Sequence, residues 1–324
     1  MSPRWTALLY VLLALSTVPL LVGTTVPGFL FLIVPIFLVT VLVARGLDRR
    51  ADAVPWAVPA LLAVGGGIAV VSVLTGVLNG LSDEPYSTPA YAALGWNLYS
   101  HPVVFYYVQY GKTYLENSYD VYLPLLAFVQ IPGVDYRWIS LIAWAAMLYL
   151  LRGNGRALAG LAVPWVPLLA ANGQNDFVPL FALTLALAFT GPLGRARWAA
   201  EVFALALKQL ANVVVVLYHL ARREYVRALA AVAITAAILA PFLYLDASGV
   251  WCHVIVGDPG STCTSRPLSF FVFKRNYWLY PTWVAVVFYA PLLDLVRRLG
   301  SALRRPRSPR PAPGPRSDSP PGPR

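Results

Sequence analysis

The chain has 324 residues, of which 58% are hydrophobic and 12% are charged, and its formal net charge is +11. This composition excludes an ordinary soluble domain and is typical of a polytopic membrane protein. The positive charge does not indicate nucleic-acid binding, because the arginines lie in short clusters between apolar segments, where they set membrane topology. We therefore predict an integral, multi-pass plasma-membrane protein that contacts membrane lipids and no nucleic acid.

Apolar segments follow one another along most of the chain. A membrane-spanning helix needs about 20 residues, and several of these segments are shorter. The predicted fold is all-α and polytopic, a bundle of about 8–10 transmembrane helices of which some are short or broken. The predicted segments are 5–22, 29–44, 56–78, 137–151, 158–171, 177–190, 198–220, 226–245 and 277–296.

The arginine clusters orient these segments. The cluster at 45–50 predicts a cytoplasmic connection, with the N-terminus on the same side. A single span over 198–220 would then put the next cluster, at 222–227, outside. A hairpin of two half-length helices that bends at Lys208 and Gln209 removes the conflict. With this hairpin both termini are cytoplasmic.

The domain organisation follows from the same pattern. Residues 1–298 form a single transmembrane domain, with one extracytoplasmic loop at 79–136, which holds the candidate active site, and a second at 246–276. Residues 299–324 are rich in Pro, Arg and Ser, a composition that cannot form a packed core. We predict a disordered, basic cytoplasmic tail that favours anionic lipid headgroups.

Asp83 and Glu84 are the sharpest candidates for chemistry, because they follow the apolar segment 56–78 directly. A carboxylate at the boundary between lipid and water is placed to act as a general base or a metal ligand. The other interpretation is a solvated helix end. Aromatic residues such as Tyr86 follow, and their rings either stack on sugars or form an aromatic belt. His101 is either a substrate contact or structural.

A second candidate site lies at two polar bends. An ammonium such as Lys208 within an apolar hairpin costs about 2.5–3.5 kcal/mol on insertion scales. It is either a structural ion pair with Glu201 or Asp176, or an anchor for a phosphate group. The other bend, "NGQND", contains Gln174, Asn175 and Asp176, which either hydrogen-bond sugar hydroxyls or cap the following helix. We expect the two bends to converge beneath the first outer loop.

Cys252 and Cys263 lie in the second outer loop, on either side of a Gly-Asp-Pro-Gly turn. Two cysteines in an oxidising compartment predict a disulfide. The loop has too few ligands for a Cys/His metal site.

Three stretches resemble the GT-C superfamily of polytopic glycosyltransferases, in particular the phosphoinositol-mannoside and glycosylphosphatidylinositol mannosyltransferases. "SDEPYSTPAYAALGWNLYSHP" resembles the acidic first outer loop of that branch, and "YDVYLPLLAFVQIPG" resembles its tyrosine- and proline-containing stretch. "NGQNDFVPLFALTLAL" and "AAEVFALALKQLANVVVVLYHLARREYVRAL" resemble its "GQ-N" loop and its lysine hairpin that ends in arginines.

The resemblance implies transfer of a mannose-like hexose from a polyprenyl-phosphate sugar donor to a lipid or glycan acceptor on the extracytoplasmic face. Asp83 would be the base, with Glu84 as its partner or substitute, and Lys208 would hold the donor phosphate. The cofactor stays open: none, or a divalent cation such as Mg²⁺ or Mn²⁺. The substrate-binding candidates are Lys208, Gln209, Gln174, Asn175, Asp176, His101, Tyr86, Lys274 and Arg275.

A non-catalytic protein is the alternative from a different class. An embedded lysine and broken helices also suit a transporter or flippase of lipid-linked sugars, or a membrane scaffold.

Overall fold

A computed structural model describes residues 40–47, 56–75, 103–109, 112–118, 123–125, 136–174, 176–189, 191–255 and 279–288. The chain divides into two units, Met1–Val287 and Phe288–Arg324, and the elements below belong to the first. The described residues are mostly helical, as the sequence predicted. The predicted segment 5–22 and the basic tail lie outside the described residues.

The helices in chain order are α1 (Ala57–Thr75), α2 (Tyr136–Leu150), α3 (Gly155–Leu161), α4 (Trp165–Ala171), α5 (Phe177–Leu183), α6 (Arg195–Leu207), α7 (Gln209–Ala221), α8 (Tyr225–Leu245), α9 (Ala247–Val250) and α10 (Leu279–Val287). Residues 40–47, which precede α1, are also helical. π-helical turns extend α5 (Thr184–Ala188) and α9 (Trp251–Ile255).

Two of these helices, α1 and α8, are long and apolar enough to cross a membrane. Only 28% of the apolar window of α1 and 17% of that of α8 is buried inside the protein, whereas the core helix of a soluble protein would be mostly buried. Large apolar side chains therefore face outward, among them Leu74, Val226 and Leu229. Apolar surface of this extent normally has a lipid or protein covering, so the two helices support association with a membrane.

Lys208 separates α6 from α7. Its backbone is extended, with φ −154° and ψ 142°, so the helical hydrogen bonding of α6 ends at Leu207 and begins again in α7. The break that the sequence predicted at this position is confirmed.

The two helices fold back on each other. Nε2 of His219, near the end of α7, lies 3.0 Å from Oε1 of Glu201, in the middle of α6. These residues are 18 positions apart, which in a continuous helix would separate them by about 27 Å. Residues 195–221 therefore form a hairpin with Lys208 at its tip. Its base carries exposed arginines, namely Arg195, Arg197, Arg222, Arg223 and Arg227.

The hairpin reaches only part of the length of α8. The hairpin helices have 13 residues each and α8 has 21, so the legs are about 20 Å long and α8 about 31 Å. α8 starts at the hairpin base and lies along α7, where the Thr235 hydroxyl donates to Oδ1 of Asn212. The tip thus lies about two thirds of the way along α8 from the hairpin base. The length of α8 matches the thickness of the hydrocarbon core of a bilayer, about 30 Å.

The expected single segment at 158–171 is two short helices, α3 and α4. Residues 162–164 separate them, and Pro164 stands at the N-cap of α4. Proline lacks the N–H and its ring clashes with the carbonyl four residues earlier, which disfavours a continuous helix at this position. The carbonyl of Leu161 at the break accepts a hydrogen bond of 3.0 Å from the indole of Trp144, which compensates for its missing helical donor.

Glycines allow close packing around these short helices. A Cβ at Gly160 in α3 would lie 2.5 Å from Cγ1 of Val286 in α10. Two of the three glycines at 65–67 in α1 also lie close to neighbouring elements. A Cβ at Gly65 would meet Pro167, and one at Gly66 would meet Trp144, each at 3.2 Å, whereas the third glycine has no atom within 4 Å.

A β-hairpin occupies part of the first predicted outer loop, for which we made no prediction of secondary structure. β1 (Val103–Gln109) pairs antiparallel with β2 (Lys112–Ser118), and its register sets Tyr107 opposite Tyr114. Two residues, 110 and 111, connect the strands, which is a common length for a hairpin. The run "VVFYYV" is rich in β-branched and aromatic residues, which favour strands. We had attributed these tyrosines to an aromatic belt or to sugar stacking.

The helical hairpin at 195–221 allows a direct test of membrane orientation. We expect a cysteine introduced at Arg223, in the exposed base, to react with a membrane-impermeant maleimide only after the membrane is opened. The positive-inside rule puts this arginine-rich end in the cytoplasm. Labelling from the outer side of intact cells would show that the orientation is wrong, and a cysteine at Lys112 in the predicted outer loop is the control that should react from outside.

Candidate functional site

The two polar bends meet in a buried ion pair. Nζ of Lys208 lies 2.6 Å from Oδ1 of Asp176, and the two side chains are 3% and 0% exposed. The predicted convergence of "NGQND" with the hairpin tip is therefore confirmed. Of the two carboxylates that we considered as partners for the lysine, Asp176 is the one in contact, while Glu201 binds His219 at the hairpin base.

Asp176 does not act as a helix cap. It occupies the N-cap position of α5, but its backbone is in the helical region (φ −71°, ψ −20°) and its side chain makes no capping hydrogen bond. An effective N-cap residue has non-helical backbone angles, which turn its side chain toward the first N–H groups of the helix. The Asp176 carboxylate instead faces the ammonium of Lys208, so the capping interpretation is wrong for this residue.

Asn212 supports the hairpin tip. Its Nδ2 donates to the carbonyl of Leu205 at 2.9 Å, in the last turn of α6, and also lies 3.2 Å from the carbonyl of Lys208. Helix ends leave carbonyls without helical donors, and such groups are costly where water is absent. The Asn212 amide thus supplies a donor to the carbonyl of Leu205, while its oxygen accepts from Thr235 in α8. The carbonyl of Lys208 also accepts from the backbone N–H groups of Ala211 and Asn212.

Two glutamines lie on the chain beside the ion pair. Gln174 is 5% exposed, and the carbonyl of its backbone accepts a hydrogen bond of 3.0 Å from Ser140 in α2. Its side-chain oxygen is buried and has no hydrogen-bond donor among the described residues. Gln209 follows the lysine, and its Nε2 donates to the carbonyl of Val254 at 3.1 Å. The segment after α8 therefore folds back to the hairpin tip.

The stretch "YDVYLPLLAFVQIPG" contributes to the same part of the protein. Leu123 is 1% exposed and belongs to a buried apolar cluster with Leu239, Val250 and Val254. Since the carbonyl of Val254 also holds Gln209, this cluster lies beside the hairpin tip. Apolar side chains beside a pair of charges lower the local dielectric constant, which strengthens the attraction between the charges.

Helix ends add to the electrostatics of the ion pair. Both α5 and α7 begin beside it, at Asp176 and at Lys208. Helix N-termini carry partial positive charge and unsatisfied N–H groups. The two helix N-termini and the ammonium of Lys208 together favour a negatively charged group at this place. The Asp176 carboxylate supplies one negative charge.

The other predicted site residues lie outside the described residues. The structure therefore brings together Asp176, Lys208, Gln174 and Gln209, and it leaves the remaining roles as predictions. The residues outside are Asp83, Glu84, Tyr86, His101, Asn175, Lys274, Arg275 and Cys263.

Neither Asn212 nor His219 was predicted from the sequence to be part of a site. His219 is buried at the hairpin base, with a carboxylate at each ring nitrogen. A histidine in an apolar helix is the signal that could have identified it, because a polar ring in such a place needs partners. Asn212 lies four residues after the predicted helix break, and a polar side chain at this distance could have been predicted to bind the carbonyls at the break.

Cys252 is 5% exposed and takes part in a disulfide. The chain has one other cysteine, Cys263, so pairing of the two stays our prediction. We expect thiol counting on denatured, non-reduced protein to find no free thiol, and two after reduction. Two thiols before reduction would contradict the pairing, and a disulfide-linked dimer on a non-reducing gel would show that the bond joins two chains.

No group of three or more His, Cys, Asp or Glu side chains within the described ranges is arranged to hold a metal ion. A divalent cation at the predicted outer loop stays a prediction, since Asp83 and Glu84 lie outside the described residues.

No protein-family model, curated protein or solved structure matches this chain.

Proposed function

We propose that the chain is a polytopic membrane glycosyltransferase that moves a mannose-like hexose from a polyprenyl-phosphate sugar to a lipid or glycan acceptor. The observation that carries the proposal is the buried Lys208–Asp176 pair at the tip of a broken helix. A buried charge is costly and persists where it is paired. Its place at a helix break, with residues of three helices around it, supports a binding role.

The chemistry of the pair suits a phosphate group. An ammonium is a compact charge with three N–H donors, so a phosphate oxygen can join Asp176 around it. Two helix N-termini at the same place, those of α5 and α7, favour an anion further. Before the donor binds, Asp176 holds the ammonium of Lys208. When the polyprenyl-phosphate sugar binds, its phosphate places a second negative charge beside the ammonium.

The lengths of the helices suit a lipid-linked donor. The outward apolar faces of α1 and α8 fit lipid, and the tip lies about two thirds of the way along α8 from the arginine-rich base. If that base is cytoplasmic, Lys208 lies about 10 Å below the outer edge of the hydrocarbon core. A polyprenyl chain can remain in the bilayer while its phosphate enters from the side.

In the proposed reaction, Asp83 takes the proton from the acceptor hydroxyl. The hydroxyl oxygen then bonds to the anomeric carbon of the donor sugar, and the bond between that carbon and the phosphate oxygen breaks. The negative charge that develops on the leaving polyprenyl phosphate is stabilised by Lys208. Lys274 and Arg275 would bind the donor at the headgroup level.

The test is purified protein in nanodiscs with radiolabelled polyprenyl-phosphate mannose and glucose, and with membrane lipid extract as acceptor. Transfer predicts that label appears in the acceptor and that unlabelled polyprenyl phosphate is released. If the donor binds and crosses the bilayer of a proteoliposome with its sugar still attached, the protein is a transporter. Absence of both binding and release would reject both functions.

A further inference from the structure

The turn between α7 and α8 exposes positive and apolar side chains next to each other. Arg222, Arg223 and Arg227 are exposed. Tyr225 and Val226 are exposed as well, and Val226 has 82% of its surface open. We call these five residues the turn surface. The proposed sugar transfer uses none of them.

The turn surface carries more positive charge than its acidic neighbour offsets. Oε1 of Glu224 lies 3.0 Å from Nε of Arg222, and Oε2 lies 3.4 Å from Nη1 of Arg227 and 2.7 Å from Nδ1 of His219. Both oxygens of this carboxylate are therefore engaged. Arg223 forms no ion pair within the described part of the chain. Three guanidinium groups beside one carboxylate leave two positive charges in excess.

Arg223 has a backbone conformation that favours glycine. Its φ is 62°, and the other described residues with positive φ are glycines. The N–H of Arg223 donates to the carbonyl of Leu220 at 3.0 Å, and that of Glu224 donates to the carbonyl of His219 at 2.8 Å. This pattern ends many helices, and its left-handed residue is usually glycine. An arginine here strains the backbone, and it supplies a charge that glycine would lack.

The length of α8 sets the depth of the turn surface in a membrane. α8 begins at Tyr225 and is about 31 Å long, so it fills a hydrocarbon core of about 30 Å when it spans the bilayer. Tyr225 then lies at the edge of the core, where tyrosine is enriched. Arg223 is two residues away, at most about 7 Å, and the headgroup layer is about 5–7 Å thick. The Arg223 guanidinium therefore lies among the headgroups.

We propose that the turn surface binds an anionic phospholipid in the leaflet that faces the hairpin base, and that Arg223 provides the preference for negative charge. A guanidinium can donate two parallel hydrogen bonds to phosphate oxygens. A zwitterionic lipid brings its own cation beside the phosphate, so the two excess positive charges favour a lipid with a net negative charge. This proposal does not depend on sugar transfer.

The arrangement of the side chains favours a lipid over an acidic protein segment. Val226 and Leu229 are exposed in the first turns of α8, directly after the arginines. A phospholipid has a negative headgroup joined to apolar chains, so one molecule covers both kinds of surface. An acidic segment would cover the arginines and leave Val226 and Leu229 exposed.

A fluorescent reporter beside the turn surface tests which lipid lies there. A cysteine that replaces Leu229 carries an NBD label, and the full chain is placed in phosphatidylcholine nanodiscs. The discs contain increasing fractions of phosphatidylglycerol or phosphatidylcholine with a spin label high on the acyl chain. We expect phosphatidylglycerol to reach half-maximal quenching at a mole fraction at least about fivefold lower, the effect of one arginine near an anionic surface. Equal mole fractions would overturn the proposal.

Two substitutions of Arg223 separate its charge from its backbone conformation. Arg223→Lys keeps the positive charge, so the preference for phosphatidylglycerol should remain. Arg223→Gly removes the charge and suits the positive φ. We expect its preference to fall about fivefold, while its thermal midpoint of unfolding in phosphatidylcholine nanodiscs stays the same or rises. If the arginine only complements the helix dipole of α7, Arg223→Gly lowers the midpoint and keeps the preference, and the proposal is wrong.

A reporter at the other end of α8 is the matched control. Tyr244 is exposed there, about 28 Å along the helix from Tyr225. With the NBD label at Tyr244→Cys, we expect quenching by either lipid to be the same in the native chain and in Arg223→Gly. A change of the same size at both reporters would show a general effect on the surrounding lipid and would contradict binding at the turn surface.

Discussion

Replacing Asp176 with asparagine is expected to lower the free energy of unfolding by about 3–5 kcal/mol, because it leaves the ammonium of Lys208 buried without its carboxylate. Nζ of Lys208 lies 2.6 Å from Oδ1 of Asp176 and both side chains are buried, so water cannot replace the lost carboxylate without entering the core. The measurement is reversible unfolding in mixed micelles, followed by tryptophan fluorescence. Lys208→Met should also destabilise, since it leaves the carboxylate unpaired.

The matched control removes both charges. In the double variant Asp176→Leu with Lys208→Met, apolar side chains of similar size replace the pair, and buried pairs replaced in this way usually leave stability unchanged or higher. We therefore expect the double variant to be more stable than Asp176→Asn. If instead the losses simply add, the two residues do not interact, and the contact at the hairpin tip is not what keeps the lysine in place.

Asp83→Asn is expected to slow sugar transfer by about 10²–10⁴-fold, the usual effect of losing a positioned general base. The substitution keeps the size of the side chain and its hydrogen bonding but removes its charge. Donor binding should be little changed, because in the proposed site the phosphate is held by Lys208. The measurement is the release of polyprenyl phosphate at saturating donor, beside the binding of donor to the same protein.

The double variant Asp83→Asn with Glu84→Gln separates catalysis from a solvated helix end. If these two acids only solvate the end of an apolar segment, the double variant transfers sugar at the native rate. If Glu84 substitutes for Asp83 as the base, the single variant keeps activity and the double variant loses it. Loss in the single variant alone assigns the base to Asp83.

Several elements could be predicted from hydrophobic pattern and charge. α8 was predicted at 226–245 and begins one residue earlier, because a continuous apolar run between an arginine cluster and an aspartate has few alternatives. The break at Lys208 was predicted from topology, since an unbroken helix would have put arginines on the wrong side. Both predictions, the bounds of α8 and the break at Lys208, use information that can be read along the sequence without knowing which helices pack together.

The sequence could not decide between partners that meet only in three dimensions. Asp176 and Glu201 were equal candidates for Lys208, and which of them pairs with it depends on how α5 packs beside the hairpin. The hairpin brings Glu201 to the base and leaves the lysine at the tip. Proline alone does not decide such a break either, because a helix ends before Pro164 whereas α8 continues through Pro241.

We propose that Lys208 holds the phosphate of a lipid-linked donor. The measurement that tests this role is the concentration of radiolabelled polyprenyl-phosphate mannose that half-saturates the protein in nanodiscs. We use the charge-free pair, Asp176→Leu with Lys208→Met, so that loss of folding does not confuse the result, and Arg195→Met at the hairpin base as the control. The claim predicts that the charge-free pair needs at least about tenfold more donor and that the control binds as the native chain does. Equal half-saturating concentrations for the charge-free pair and the native chain would contradict it.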